Sequence, residues 1–287
     1  DQPALIINEP GKIYWMMNEL SALLLDVDGT IADTEELHRQ AFNSAFTEFG
    51  LDWNWSRDLY TELLSVTGGK ERIRHYIDCY LPDFTPPDDL PEFIARMHEL
   101  KTVFYIQTVE QGRAPLRPGV ERLICEARAA GLRLAIATTT SPENVQALLG
   151  CSFRKASVSW FDVIAAGNAV KAKKPAPDIY RLALAELGLP PQSCLAIEDS
   201  VNGLRAASDS GIRTLITVNH YTRHENFEGA VLVLDQLGDP GNPFEVIQGD
   251  ARGWKYVDVA LLKRLHERTR GPVHTDQPPD IPEREPS

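Results

Sequence analysis

The feature that most constrains this chain is a short apolar run that ends on two aspartates: Ala22-Leu23-Leu24-Leu25-Asp26-Val27-Asp28-Gly29-Thr30. The apolar residues read as a short buried strand. Strand alternation puts Asp26 and Asp28 on one side of the pleat. Just past the strand's end, both can point into the crevice where open α/β sheets bind ligands. Two carboxylates this close repel, and one holds its proton unless a cation intervenes. A hard divalent cation such as Mg²⁺ removes the conflict and suits one or two carboxylates plus a substrate phosphate. Asp and Gly are also ordinary turn residues, so this stretch alone reads equally as a solvated turn and as a metal site.

The chain has 287 residues, room for one or two domains with a sizeable core. Its net charge of −12 argues against a nucleic-acid-binding surface, which would show a basic stripe. A local basic cluster or a metal can still hold a phosphate. Cys79, Cys125, Cys151 and Cys194 lack metal-binding spacing and read as reduced thiols. No apolar run approaches the length of a membrane span, so no membrane partner is expected. Residues 1–20 lack the layout of a signal peptide and read as an N-terminal extension. The expected compartment is the cytoplasm, or the plastid stroma where a transit peptide has been removed. A monomer is expected. Residues 271–287 hold five prolines among charges, which predicts a disordered tail.

Asp33 followed by Glu36 predicts a capping-box start for a helix running to about Phe49, with Leu37, Ala41, Phe42, Ala45 and Phe49 as its apolar face. Further helices are predicted over 56–65, 70–80 and 89–107, so a helical block is inserted after the first strand. From Pro115 and Pro118 the pattern alternates. Strands are predicted at 132–137, 161–165, 195–197, 214–218 and 231–234, and helices at 119–130, 141–149, 178–187 and 200–210. That alternation predicts an α/β fold, a Rossmann-like, mostly parallel sheet. A core is expected from 21–33 and 115–238, a helical cap from 34–114, and a C-terminal helical extension over 239–270 with an amphipathic helix at 254–269.

Four strand ends carry reactive groups: Asp26 and Asp28; Thr138 and Thr139; Lys173-Lys174-Pro175; and Glu198-Asp199. In a parallel sheet all four meet at the carboxyl edge. Carboxylates, a hydroxyl and a lysine there suit Mg²⁺ and a phosphoryl group.

With those motifs in order and a helical insertion after the first, the chain resembles the haloacid dehalogenase superfamily. The stretches DVDGTIADTEELH, TGGKER, KKPAPDIYRLAL, IEDSVNGLRAA and YTRHENF resemble its CbbY-type phosphatases, which act on sugar bisphosphates linked to the Calvin cycle, xylulose 1,5-bisphosphate foremost. The resemblance spans about Ala22 to Ala230. It implies a Mg²⁺-dependent phosphatase of a small-molecule sugar phosphate. In that reading Asp26 is the nucleophile that forms an aspartyl phosphate. Asp28 is the general acid and then the base. Thr138 and Lys174 hold the transferring oxygens. Asp26, Asp28 through its carbonyl, Glu198 and Asp199 are the metal residues.

Other residues carry two readings. Asp33 is first a helix N-cap and second a substrate contact. His38, alone an ordinary helix histidine, gains a role in substrate binding or cap closure from the resemblance. Lys70 and Arg72 read as a solvated helix start or, with Gly68-Gly69, as an anion cradle for a second phosphate, Arg72 pairing two of its oxygens. Lys101 resembles a cap lysine of related enzymes, which makes substrate binding one of its two readings. Thr139 is a substrate contact or, with Thr140 and Ser141, a helix cap. No role for Tyr221-Thr222-Arg223-His224 follows from the residues. Two alternatives to hydrolysis remain: a phosphosugar mutase of the β-phosphoglucomutase kind, using the same phospho-aspartate, and a non-catalytic phosphate-binding protein.

Overall fold

β1 (Ala22–Leu25) lies inside a seven-stranded sheet, between β2 (Arg133–Ala137) and β4 (Cys194–Glu198). A computed structural model describes residues 19–153 and 157–267. The strand order is β3 (Val163–Ala165), β2, β1, β4, β5 (Arg213–Thr217), β6 (Leu232–Leu234), β7 (Val246–Gln248). All neighbours pair in parallel except β6 and β7. The chain runs outward from β1 to β3 and then crosses back to β4. The order therefore reverses between β1 and β4, where open α/β sheets form a crevice at their carboxyl ends.

Alternation along the strands sorts their side chains into two layers. Leu23, Leu25, Leu134, Ile136, Leu195 and Ile197 share one core with α5 (Val120–Ala129), α6 (Pro142–Ser152) and α9 (Val259–Glu267). Ala22, Leu24, Ala135, Ala137, Cys194 and Ala196 face α7 (Asp178–Leu187) and α8 (Val201–Ser208). The many alanines on that side let the helices sit close to the sheet. Leu23, Leu24 and Leu25 are essentially inaccessible, and each contributes about 1.5–3 kcal/mol of burial.

The inserted helices are α1 (Glu35–Glu48), α2 (Arg57–Leu63), α3 (Gly69–Tyr80) and α4 (Leu90–Glu110). They hold an aromatic cluster of their own, in which Phe42, Phe46, Trp53, Trp55, Tyr60 and Tyr76 meet mostly edge-on or tilted. The second half of α4 leaves that cluster. Its Tyr105 and Val109 belong to the main core under the sheet.

Two linkers join the insertion to the sheet, and they run side by side. Ala32 forms a β-bridge with Leu116, and the Arg117 N–H donates to Ile31 O at 3.0 Å. Arg117 is buried, and its guanidinium ties loops together. Nη1 donates to Gly29 O and, at 2.8 Å, to Thr217 O; Nη2 donates to Val218 O at 2.5 Å and Asp235 O at 2.7 Å.

Three local expectations need correction. Asp33 is not the N-cap of α1: Thr34 occupies that position, while Asp33 is exposed and pairs with Arg117 Nε at 3.5 Å. The last helix begins at Val259 rather than 254, because Asp258 Oδ1 accepts the Leu261 N–H and caps it there. The short strand β7 is absent from the expected strands; among the described residues it pairs only with β6, and its three residues are exposed, so it carries no alternating apolar pattern. The expected extension before residue 19, the last residues of the 254–269 helix and the proline-rich tail lie outside the described residues. Among those described, no helix is long and apolar enough to cross a membrane.

Candidate active site

The parallel ladder continues one residue past β1, where the Asp26 N–H donates to Ile197 O at 3.1 Å. The chain then folds on itself: the N–H groups of Thr30, Ile31 and Ala32 all reach Val27 O. Gly29 makes this possible with φ of +81°, and a Cβ there would collide with the Asp199 carboxylate. The DVDGT turn is thus shaped to lie against the residues that follow β4.

Three carboxylates gather at this edge. One oxygen each from Asp26, Glu198 and Asp199 lies within 4.8 Å of the others, and all three residues are buried. Lys174 enters from the loop after β3 and donates to Asp26 Oδ1 at 2.6 Å and Glu198 Oε1 at 2.5 Å. Tyr180 Oη donates to the same Glu198 oxygen at 2.6 Å. Gly203 on α8 leaves room for Glu198, since a Cβ there would overlap its carboxylate. One ammonium cannot neutralise three carboxylates. Burial pushes Asp26 up to about 8, with Lys174 opposing and Glu198 and Asp28 adding to the rise. Burial and the charges of Asp26 and Glu198 also push Asp199 well above the carboxylate range. A buried, all-oxygen cluster with surplus negative charge fits a hard divalent cation.

The Asp28 carboxylate turns away from that cluster toward the insertion, which leaves only its carbonyl to reach a metal. Its Oδ1 accepts from Thr34 Oγ1 at 2.6 Å and meets His38 Nε2 at 2.9 Å. Lys101 Nζ lies 2.6 Å from His38 Nδ1. When Lys101 is an ammonium it can only donate, so Nδ1 then accepts and Nε2 carries the proton given to Asp28. Burial works to raise the Asp28 pKa, but His38, Thr34 and Lys101 together hold it down to about 2. Burial lowers Lys101 to about 7, with Asp28 opposing. The helical insertion therefore reaches the second aspartate directly, through α1 and α4. His38 also stacks on Tyr105 at 4.1 Å.

A cleft of about 150 Å³ opens over these groups. Asp26, Asp28, Thr138, Thr139, Lys174 and Asp199 line its sheet side; His38, Gly68, Gly69, Lys70, Arg72 and Lys101 line the facing wall. The structure thus brings together every sequence-nominated residue except two. Glu198 stands behind Lys174. Asp33 opens instead onto a separate cavity of about 560 Å³, beside Arg117. That cavity is larger but lacks the acidic cluster and Lys174.

Arg72 also departs from expectation. Its Nε donates to Leu63 O at 3.1 Å and Val66 O at 3.2 Å, its Nη1 to Tyr60 Oη at 3.1 Å, and the guanidinium lies over the Tyr60 ring. Its Nε and Nη1 are thus engaged within the insertion, while the residue still lines the cleft. Lys70, half-buried in the first turn of α3, is the freer cation of that loop.

Sequence reasoning missed Arg117, Tyr180 and Asn219, whose Nδ2 donates to Asp199 Oδ2 at 2.6 Å. It could have flagged Arg117 only as a charge beside Pro118 at the end of the insertion.

Comparison with known proteins identifies similar chains. A family model described as haloacid dehalogenase-like hydrolase matches residues 20–211. Protein CbbY (plasmid) of Cupriavidus necator is 48% identical over 251 residues, covering 87% of this chain and 98% of that protein. The crystal structure of a CbbY mutant from Rhodobacter sphaeroides in complex with xylulose 1,5-bisphosphate matches with a TM-score of 0.71 and 51% identity, covering 76% of this chain and 94% of the other. A β-phosphoglucomutase from Clostridium difficile, at 23% identity, TM-score 0.63 and coverage of 77% and 92%, shares the fold.

Proposed function

The chain belongs to the haloacid dehalogenase-like hydrolases, and from that premise we propose that it is a Mg²⁺-dependent phosphatase of a sugar bisphosphate such as xylulose 1,5-bisphosphate. The observation that carries the reading is Lys174 held between Asp26 and Glu198, beside Asp199, at the floor of a cleft whose far wall is the start of α3. The likeness to proteins named CbbY, one of them bound to xylulose 1,5-bisphosphate, supports the substrate class.

Mg²⁺ held by Asp26, Glu198 and Asp199 would draw charge from the transferring phosphoryl oxygens and lower the repulsion that Asp26 meets as nucleophile. The rest falls to the chain. An Asp26 oxygen attacks phosphorus, the P–O bond to the sugar breaks, and an aspartyl phosphate remains. Lys174 and Thr138 hold the equatorial oxygens. The leaving alkoxide takes a proton from Asp28. With Thr34 and His38 engaged Asp28 is ionised, the form that accepts a proton from water in the second step. For the first step Asp28 must carry a proton, which its burial favours and its contacts with His38 and Thr34 oppose. Residues 34–114 act as a cap that covers the substrate and excludes water, with His38 and Lys101 beside Asp28. The direct test is inorganic phosphate released from xylulose 1,5-bisphosphate with and without a chelator. Metal-dependent release of one equivalent supports the reading. Phosphate moved within the sugar without release would assign a mutase instead.

A second phosphate on the sugar would lie toward α3. A hydrogen bond from a cation to it contributes about 1.5–3 kcal/mol. Lys70→Ala should therefore raise KM for a bisphosphate by about tenfold or more and leave p-nitrophenyl phosphate nearly unchanged. Equal loss on both substrates would remove Lys70 from the second-phosphate site.

The acidic cluster also fixes a pH response. Asp26 rises from an ordinary 3.8 to about 8 in the folded protein. The unfolded chain releases that proton first, so metal-free stability is fully present below pH 4 on this account and drains as pH climbs toward 8. A divalent cation takes the proton's place. Melting curves should show Mg²⁺ raising Tm more at pH 8 than at pH 6. A Mg²⁺ effect that shrank with rising pH would contradict the assignment.

A further inference from the structure

The YTRHENF stretch lies on the loop after β5, and that loop is built into the site at three points. Asn219 opens it. Asn219 Oδ1 accepts the N–H groups of Tyr221 at 2.8 Å and Thr222 at 3.2 Å, and Thr222 Oγ1 accepts the Asn219 N–H at 3.1 Å. With its oxygen committed to two backbone donors, the amide can face only one way. Its Nδ2 points out of the turn and donates to Asp199 Oδ2 at 2.6 Å. Two residues on, Tyr221 is buried in the insertion's aromatic cluster, edge-on to Tyr60 at 5.8 Å, with Oη donating to Glu36 Oε2 at 2.7 Å. Further along, Glu225 Oε2 accepts the Val201 N–H at 2.6 Å, two residues past Asp199.

Asp199 is buried, makes no salt bridge among the described residues, and has Asn219 as its side-chain donor there. A carboxylate that binds a cation must hold one oxygen in a fixed direction, and groups that orient a ligand govern affinity almost as strongly as the ligand itself. We propose that Asn219 is a positioning residue: its amide pins one oxygen of Asp199, setting the direction of the other for a divalent cation, and the Tyr221–Glu36 contact anchors that pin to α1. This deepens the metal-site reading above and rests on Asp199 being a ligand. It also gives the loop motif a use beyond connecting β5 to β6: the turn that orients a metal residue is bolted to the helix that carries His38.

The test is Mg²⁺ titration of the metal-free full chain by calorimetry, with melting curves to verify folding. In Asn219→Ser the hydroxyl can still close the turn but is too short to reach Asp199. Asn219→Ala serves as a second variant if the first melts early. Thr222→Val loosens the turn yet keeps the amide on Asp199. Asp199→Asn removes the ligand. The expected result is a loss of about tenfold to a hundredfold in Mg²⁺ affinity for Asn219→Ser, a larger loss for Asp199→Asn, and a change within about twofold for Thr222→Val. Wild-type affinity in Asn219→Ser beside a loss in Asp199→Asn would overturn the pin alone. Equal losses in Thr222→Val and Asn219→Ser would reduce the loop to a structural support. Wild-type affinity in Asp199→Asn would overturn the metal reading from which the pin follows.

Discussion

Asp26→Asn should yield a folded protein that releases phosphate at least about 10⁴-fold more slowly. The amide fills the same space and still offers Lys174 an acceptor oxygen in place of the carboxylate seen at 2.6 Å. It is a far weaker nucleophile toward phosphorus, so the covalent route closes. Background hydrolysis of phosphate monoesters is so slow that nothing measurable replaces that route. Stability should move the other way from activity. The substitution removes one of three buried carboxylates that share a single lysine, and Asp26 is the one burial lifts to about 8. Above pH 7 the metal-free variant should melt no lower than the unaltered protein. Two measurements check this: phosphate release, and mass spectrometry of rapidly quenched enzyme, where an acyl phosphate should form on Asp26 and be absent from the variant. A phosphoryl group trapped on another side chain would refute the role.

Arg117→Met is expected to cost about 3–5 kcal/mol of stability, in the range seen when a buried charged group is truncated and its partners are left behind. The methionine keeps much of the aliphatic stem, so the loss isolates the guanidinium. That group now serves the carbonyls of Gly29, Thr217, Val218 and Asp235. Left buried without a donor, each would cost about 1–3 kcal/mol, offset in part where water enters. Tm should fall by roughly 10 °C. Turnover at low temperature should fall too, since the Gly29 carbonyl belongs to the turn that carries Asp26 and Asp28. Arg117→Lys, able to serve only some of those carbonyls from one nitrogen, should fall between. An unchanged Tm in Arg117→Met would show that these carbonyls find other donors.

What could be read in the chain beforehand was whatever local chemistry determines. An apolar run stopping at Asp26, the KP dipeptide after β3 and the Glu198-Asp199 pair each announce themselves within a few residues, so the sheet and the residues at its edge were visible. Arg117 and Asn219 were not, because their meaning lies in partners far along the chain: Arg117 reaches Asp235, and Asn219 reaches Asp199. No periodicity marks such contacts. Arg72 shows how packing adds to a local signal. Glycines beside cations do suggest an anion cradle, but the guanidinium's commitment to Leu63 O and Val66 O depends on how α2 packs on α3. The Asp33 misassignment is of the same kind. Thr34 is the N-cap of α1 and sends its hydroxyl to Asp28 rather than to the helix.

The place of β1 in the sheet sets an order on biogenesis. During synthesis its three leucines leave the ribosome before either neighbouring strand exists. Ala22 must wait for Arg133 on one side and for Cys194 on the other. The aromatic cluster of the insertion is local in sequence, from Phe42 to Met97 apart from Tyr221, and can condense in that interval. The sheet cannot. A strand this apolar, held open while more than half the chain is made, is a natural client for holdase chaperones and an aggregation risk when translation stalls between β2 and β4. Synonymous changes that slow elongation across that interval should lower the yield of active protein while leaving its sequence untouched.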